Sequence, residues 1–117
     1  MPSAADEQHA AIRRDFAEAV NMAPAELDRW LRTEESRAVG YHNEGEAEAV
    51  GHASGRRIVE IRRKRQADLT AEDYAHMRKV VGYVHRHLAQ GGPAEGVETS
   101  RWRYSLMNWG HDPLKRG

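Results

Sequence analysis

The chain has 117 residues, 18 basic and 18 acidic side chains, and no cysteine. This length suits one domain with a modest core, and the lack of thiols excludes disulfides, thiolate catalysis and cysteine-based zinc sites. The N-terminal residues lack the pattern of a secretion signal, and no window reaches the roughly 18 apolar residues of a membrane span. We therefore predict one cytoplasmic domain over residues 1–117, without membrane contact.

The first forty residues predict two helices and a short third one. Apolar residues recur at helical spacing over residues 5–20, and again after Pro24, which is a favoured first helical position. Residues 33–39 either continue the second helix or form a short new one, which Gly40 ends. The side chains predicted to face the core are Ile12, Phe16, Ala19, Val20, Leu27, Trp30 and Leu31.

A polar segment and a basic helix are predicted next. Residues 41–53 are rich in Gly and Glu and show no sustained period, which indicates a mobile surface loop. Ser54 is a suitable N-cap for the following helix, whose inward side chains are predicted to be Ile58, Val59 and Ile61.

The clearest helix signal covers residues 70–88. Thr70 is its predicted N-cap, and Asp73 replaces the usual Glu or Gln of a capping box. Residues 91–93 (GGP) break this helix, and residues 99–108 predict a last helix; residues 1–4 and 111–117 are predicted to be flexible. The apolar stripe of the long helix comprises Tyr74, Met77, Val81, Val84 and Leu88.

The fold class predicted from these patterns is all-α. Alternation of β-branched residues is absent from the sequence, which disfavours a sheet. We therefore expect a small single-domain bundle of about five helices with one long Gly/Glu-rich loop.

Charge is segregated along this neutral chain. Residues 1–53 carry 5 basic and 11 acidic side chains, whereas residues 54–90 carry 9 and 4. The stretch SGRRIVEIRRKR at residues 54–65 concentrates the positive charge in about three helical turns. Such a face suits a polyanion, and nucleic acid is the leading candidate because each cation can neutralise a phosphate. The candidate nucleic-acid-binding residues are Arg56, Arg57, Arg62, Arg63, Lys64 and Arg65, with Lys79 and Arg86 on the long helix.

Arrangement within the basic helix adds one argument for an anionic partner. Arg56 with Arg63 and Arg57 with Lys64 are predicted to form two outward rows. Arg62 falls on the apolar side, where an arginine must extend to solvent or meet an anion.

Two other uses of the basic face remain open. It can be a solvated helix in which Glu60 pairs with Arg56 and Lys64 at four-residue spacing. It can also bind an acidic protein, or the acidic first half of the same or a neighbouring copy, which would give a homo-oligomer. The acidic residues available for such a contact are Glu34, Glu35, Glu44, Glu46 and Glu48.

Catalytic and metal-binding patterns are weak. His85 and His87 point to opposite sides of a helix, no HExxH occurs, and only a folded loop would bring His42, Glu44, Glu48 and His52 together. Ser54 does not match the G-x-S-x-G pattern of a nucleophile elbow. We predict no metal site, no cofactor and no enzymatic activity.

Aromatic residues near the C-terminus interleave with arginines. Trp102, Tyr104 and Trp109 can stack on bases, but packing in the core is favoured for the tryptophans because a small bundle needs large apolar side chains. Tyr104 and Arg103 are the residues that could stay exposed.

Two resemblances accompany this interpretation. The stretch from Pro24 to Leu31, a spacer and Gly55 to Arg65 resembles the SAP motif, a DNA-binding helix-extended-helix module, although the connection here is longer. The strings NMAPAELDRWLRTEES, VGHASGRRIVEI, ADLTAEDYAHMRKVVGYVHRHLAQ and RWRYSLMNWGHDPLK resemble the bacterial family named domain of unknown function 3140. That family is uncharacterised, and the DNA-binding label on some of its members supports the interpretation of the basic helix.

Together these patterns predict a non-enzymatic nucleic-acid-binding protein, with DNA as the first candidate. It would contact the phosphate backbone through the basic helix with low sequence selectivity. DNA binding would place the protein at the nucleoid within the cytoplasm.

Overall fold

The computed structural model of the protein describes residues 3–40 and 48–115, and its regular structure is helical. Six α-helices and two short 3₁₀ turns occur in these ranges, with no strand among them, which confirms the all-α fold class. Of residues 33–39, Glu34–Ala38 form a separate short helix, which is one of the two predicted alternatives, and the six helices compare with about five predicted. The helices are α1 (Ala4–Ala19), α2 (Pro24–Leu31), α3 (Glu34–Ala38), α4 (Val50–Arg63), α5 (Ala71–Gln90) and α6 (Arg101–Asn108).

Local capping explains where several helices begin. The Thr70 hydroxyl accepts a hydrogen bond from the backbone N–H of Asp73, and the Asp73 carboxylate accepts one from the backbone N–H of Thr70. This reciprocal pair satisfies two N–H groups that the helix itself leaves unpaired, and it confirms the predicted start of α5. At the other end of α5, Gly91 adopts a φ of 77°, which ends the helix as the GGP sequence predicts.

The start of α4 differs from the prediction. The helix begins at Val50, so Ser54 lies inside it and is not its N-cap. The predicted mobile loop over 41–53 therefore overlaps the first turn of α4, while residues 41–47 lie outside the described residues. The serine hydroxyl instead lies 2.9 Å from Nε2 of His76 on α5.

A single cluster of apolar side chains holds the helices together. The helix α1 packs mainly on α5, α2 packs mainly on α4, and α6 contacts α2, α3, α4 and α5. On α5 the stripe lies slightly off the predicted one, because Val80 is fully buried whereas Leu88 is 37% exposed. All seven side chains predicted for the core of α1 and α2 belong to or pack against this cluster.

One polar group lies at the centre of the packing of α2, α3 and α6. The Asn108 side chain is 1% exposed. Its Oδ1 accepts hydrogen bonds from Trp30 Nε1 at 2.8 Å and from Ser36 Oγ at 2.5 Å. Its Nδ2 donates to the Ser36 carbonyl oxygen at 2.9 Å. Because every one of these groups is paired, the asparagine can be buried without an unsatisfied donor or acceptor.

The residues after α6 contact the first helices. Asp112 forms a two-point ion pair with Arg103, with distances of 3.0 and 2.9 Å. Its backbone N–H donates to Asn21 Oδ1, and Lys115 Nζ lies 2.7 Å from Glu26 Oε1. Residues 111–115, for which the sequence predicts a flexible tail, therefore lie against the body of the fold.

None of the helices in the described ranges combines the length and apolar character that a membrane span requires.

Candidate functional site

The eight cations predicted to bind nucleic acid lie on α4, just after it, and on α5. Arg56 and Arg63 are exposed on one side of α4, as predicted, and Arg57, which follows Arg56, is half-buried. Lys64 is the C-cap of α4, with an extended backbone, and Arg65 follows it. The carboxylates and carbonyl groups around each cation determine whether its charge is already balanced or remains available for a ligand.

Glu48, just before α4, neutralises part of the basic face. The Arg56 guanidinium holds its carboxylate by two hydrogen bonds, one of them from Nε at 2.8 Å. His52 Nδ1 contacts the same carboxylate, and His52 Nε2 lies 2.7 Å from the Leu31 carbonyl oxygen. The hydrogen bond from Arg56, followed by that from His52, lowers the pKa of Glu48 to about 2, although burial opposes the shift. Arg56 thus helps to fix the start of α4.

Asp73 forms a second acidic centre between α4 and α5. Its side chain is buried and accepts hydrogen bonds from Lys64 Nζ at 2.7 Å and from the Thr70 backbone N–H at 3.0 Å. Arg57 Nη2 is more distant, at 3.5 Å, which makes this contact weak. The hydrogen bond from Lys64 is the main cause that lowers the pKa of Asp73 to about 2. Lys64 is therefore part of the helix cap as well as of the basic patch.

Arg62 and Arg65 have local partners too. Arg62 Nη1 donates to the Val20 carbonyl oxygen at 3.1 Å, at the C-cap of α1. Carbonyl groups at the end of a helix lack intrahelical partners and carry partial negative charge, which explains an arginine at this edge of the core. Arg65 pairs with Asp68 at 3.1 Å, while its side chain is 85% exposed.

Apart from Arg62, which donates to a backbone carbonyl oxygen, three of the predicted cations have no hydrogen-bonded carboxylate among residues 3–40 and 48–115. They are Arg63, Lys79 and Arg86. Two of these, Lys79 and Arg86, lie on α5 at a spacing of seven residues, which places them on one side of the helix about 10.5 Å apart along its axis.

Lys79 and Arg86 line a groove between α4, α5 and α6, which we call the cationic groove. Its first section is lined by residues that include Ser54, Arg57, His76 and Lys79. Its second section is a cleft of about 220 Å³, and the two sections share Val50, Lys79 and Trp109. No carboxylate from the described residues lines either section. The second section is lined by Gly40, Val50, Gly51, Lys79, Tyr83, Arg86, Ser105, Asn108 and Trp109.

Stacked rings form the wall of the cationic groove. The ring of Tyr83 lies nearly parallel to that of Trp109, with centroids 4.2 Å apart. His76 continues the stack on Trp109 at 6.3 Å, and His87 continues it on Tyr83 at 5.3 Å. Burial raises the pKa of the Tyr83 hydroxyl and lowers those of His76 and His87, so these rings are neutral at neutral pH. Apart from its basic rim, this wall is uncharged.

A serine and a histidine meet at the first section of the groove, a combination that also occurs in nucleophilic enzymes. Ser54 is buried inside α4, where backbone N–H groups bond to the preceding turn and so do not form an oxyanion site. No carboxylate within the described ranges hydrogen-bonds to His76. The contact between Ser54 and His76 instead joins α4 to α5.

Histidines and carboxylates do not assemble into a metal site in the parts of the chain that the structure describes, where no group of three ligands was found. Glu48 and His52 do meet, as the folded-loop hypothesis requires. His42 and Glu44 lie outside the described residues, and His85 is exposed on α5.

The sequence did not reveal the ion-pair partners or the aromatic wall. Arg56 pairs with Glu48, eight residues earlier, and Lys64 pairs with Asp73, nine residues later, whereas the helical spacing rule pointed to Glu60. Trp109 lies in the core and lines the groove, while Tyr104 is half-buried with its ring 5.2 Å from that of Trp30. The i, i+4, i+7 spacing of Lys79, Tyr83 and Arg86 was the available signal for a mixed cationic and aromatic side of α5.

The fold and the groove define a small all-α protein with a basic, partly apolar groove. The model of a family described as protein of unknown function (DUF3140) matches residues 15–107, so the chain belongs to that family. This confirms the resemblance found in the sequence, whereas the SAP resemblance stays a prediction. No curated protein and no solved structure matches the chain.

Proposed function

We propose that this protein binds nucleic acid, with DNA as the first candidate, through the phosphate backbone and without catalysing a reaction. The observation that carries the proposal is the lining of the cationic groove, which includes Arg57, Lys79 and Arg86 and no carboxylate from the described residues, while the contact of Arg57 with Asp73 outside the groove is weak, at 3.5 Å. Lysine and arginine side chains bind phosphates and release counterions, which supplies affinity that does not depend on base sequence.

Spacing in the groove suits a polyanion better than a single small anion. Lys79 and Arg86 are about 10.5 Å apart along α5, which corresponds to about three nucleotides of one strand at 3.4 Å each. Arg57 extends this row at the α4 side through the section that it shares with Lys79. A chain of phosphates can contact all three cations at once.

The binding surface differs from the basic helix as the sequence presents it. Arg56 and Lys64 are engaged by Glu48 and Asp73, so their charges are largely balanced within the fold. Arg63 is exposed without such a partner in the described ranges and can add a contact outside the groove. We therefore assign the main contacts to α5 and to Arg57, with α4 as a supporting surface.

Fluorescence anisotropy with labelled oligonucleotides tests the proposal. Three phosphate contacts give a slope of log K against log salt of about −2.7 for duplex DNA and about −2.1 for a single strand. Scrambled sequences should bind equally well, because backbone contacts carry no sequence information. Absence of binding at low salt would refute the proposed function.

Charge reversal on α5 identifies the binding face. The double variant Lys79→Glu and Arg86→Glu should lose binding, while circular dichroism shows unchanged helix content, because neither residue makes an ion pair with the described residues. The matched control reverses two exposed arginines of other helices, Arg14→Glu and Arg29→Glu, and should retain most of the affinity. Equal loss in both variants would refute the assignment to the groove.

The alternative function is an interaction module whose acidic and basic faces join two copies or bind another protein. That function predicts that reversal of Lys79 and Arg86 changes the molar mass in solution, measured by light scattering, or removes a protein partner. A monomer before and after reversal, together with lost oligonucleotide binding, would exclude self-association.

A further inference from the structure

The second section of the cationic groove is mainly apolar, although basic side chains flank it. Its walls include Val50, Gly51 and the rings of Tyr83 and Trp109. Contact with such a surface does not stabilise a bound phosphate, because the anion loses hydrating water there and gains no hydrogen-bond partner. Binding of a phosphate backbone therefore does not account for the apolar second section of the groove.

The size of this cleft matches one heteroaromatic ring system. Its volume of about 220 Å³ equals the space of about seven water molecules at about 30 Å³ each. Pockets for drug-sized ligands measure about 300–1,000 Å³, so the cleft suits a smaller group. The hydroxyls of Tyr83 and Ser105 supply donors and acceptors at a surface that is otherwise apolar.

Gly51 and the aromatic stack hold this cleft in shape. A Cβ atom at Gly51 would lie 2.9 Å from Nε1 of Trp109, so only glycine allows the indole to lie this close to α4. Tyr83 is in turn stacked on Trp109, and His87 on Tyr83. A wall built from stacked rings is rigid, and it offers a ligand a preformed apolar surface along the edges of its rings.

The order of residues on α5 indicates what kind of flat ligand fits. Lys79 lies one turn before Tyr83 and Arg86 lies about one turn after it, on the same side of the helix. About three nucleotides of a strand span the distance between these two cations, so the flat base of the middle nucleotide comes opposite Tyr83 when the flanking phosphates contact Lys79 and Arg86. Aromatic side chains in a basic groove are the usual means of binding single strands, because every base has a stacking face.

We propose that the cleft accepts an unpaired nucleobase, so that the nucleic acid bound by this protein is single-stranded. This inference rests on the proposed function, since it specifies the ligand of the same groove. In a duplex the bases are paired and stacked, and they cannot enter the cleft without being extruded.

Three ligands separate base recognition from backbone binding, and the two single strands among them carry equal charge. They are a labelled single strand, the duplex of the same sequence, and a single strand of the same length whose central nucleotides are abasic. The intact strand should bind about 5- to 150-fold more tightly than the abasic strand, which is the range that stacking of one base supplies. The intact strand should also bind more tightly than the duplex, although the duplex carries the phosphates of two strands.

A variant that fills the cleft supplies the second measurement. Ser105→Phe adds an uncharged ring to the cleft and should reduce the affinity for the intact strand to that for the abasic strand. Its control is Ala89→Phe, which adds the same ring at an exposed position of α5 outside the groove. Circular dichroism establishes whether both variants fold.

The outcomes distinguish this inference from the proposed function. Preference for the intact strand that Ser105→Phe abolishes supports base entry. Equal affinity of the wild-type protein for all three ligands overturns base entry and leaves backbone binding in place, even if the variant does not fold. No binding to any of them overturns both.

Discussion

Alanine substitutions at two helix glycines are expected to have opposite effects on stability. Gly55 lies in the middle of α4 and Gly82 in the middle of α5, so each substitution by alanine gains up to about 1 kcal/mol of helix propensity. Their surroundings differ. A Cβ at Gly55 would lie 2.5 Å from the Asn108 carbonyl oxygen and 2.6 Å from Leu31 Cδ2. At Gly82 its nearest neighbour would be Arg86 Nη1 at 3.1 Å, the end of a flexible side chain.

The size of each stability change depends on whether the atoms next to the added Cβ can move away. Overpacking costs about 1–3 kcal/mol, and we expect the upper part of this range at Gly55 because a backbone carbonyl cannot rotate away. After the propensity gain, Gly55→Ala should lose about 2 kcal/mol, whereas Gly82→Ala should gain about 0.5–1 kcal/mol. At about 4 °C per kcal/mol for a chain of this size, the melting temperatures of the two variants should differ by about 10–12 °C.

Urea unfolding followed by far-ultraviolet circular dichroism measures both free energies. The slopes against denaturant should stay equal to that of the wild-type protein, so that the midpoints report stability. If Gly55→Ala proves as stable as Gly82→Ala, the close crossing of α4 with α2 and α6 is wrong.

Two further predictions concern buried polar groups. Asn108→Ala should destabilise the protein by about 3–5 kcal/mol, because Trp30 Nε1 and both oxygens of Ser36 lose their partner; a urea-measured loss below about 1 kcal/mol would contradict the network. The substitution Asp73→Asn tests the pH dependence of stability. The pKa of Asp73 is about 2 in the folded state, below its ordinary value of 3.8. The ionised carboxylate therefore stabilises the fold above pH about 4, and this contribution is lost as the pH falls to about 2. The Asp73→Asn variant should therefore be less stable at pH 7 and lose less stability between pH 4 and pH 2, and an unchanged pH dependence would show that another carboxylate is responsible.

Local signals in the sequence were sufficient to predict most of the helices. They were not sufficient where contacts between residues distant in sequence determine where a helix begins. The reciprocal cap of Thr70 and Asp73 involves residues three apart, so the start of α5 was predictable. The start of α4 was not, because Ala49 offers no capping side chain and Gly51 resembles a loop residue. Glycine lies inside this helix because neighbouring helices come too close for a side chain, and this requirement exists only in the folded chain.

The same distinction between local and distant contacts applies to the candidate site. The basic composition of α4 and the outward position of Lys79 and Arg86 were predictable from helical spacing. The carboxylates that neutralise Arg56 and Lys64 were not, since both lie beyond the reach of neighbouring turns. Because these ion pairs balance two cations at α4, the cations that remain available for a ligand in the described residues lie mainly on α5.

The contacts of residues 111–115 have a consequence for how the chain folds. His111 Nδ1 lies 2.8 Å from the Ala19 carbonyl oxygen, 92 residues away, and Asp112 hydrogen-bonds to Asn21, 91 residues away. Such distant pairs require most of the chain to be ordered before they form, which slows folding relative to helical bundles with local contacts. During synthesis the contacts of Ala19 and Asn21 must wait until residues 111–112 leave the ribosome, whereas the packing of α1 on α5 and of α2 on α4 can form earlier.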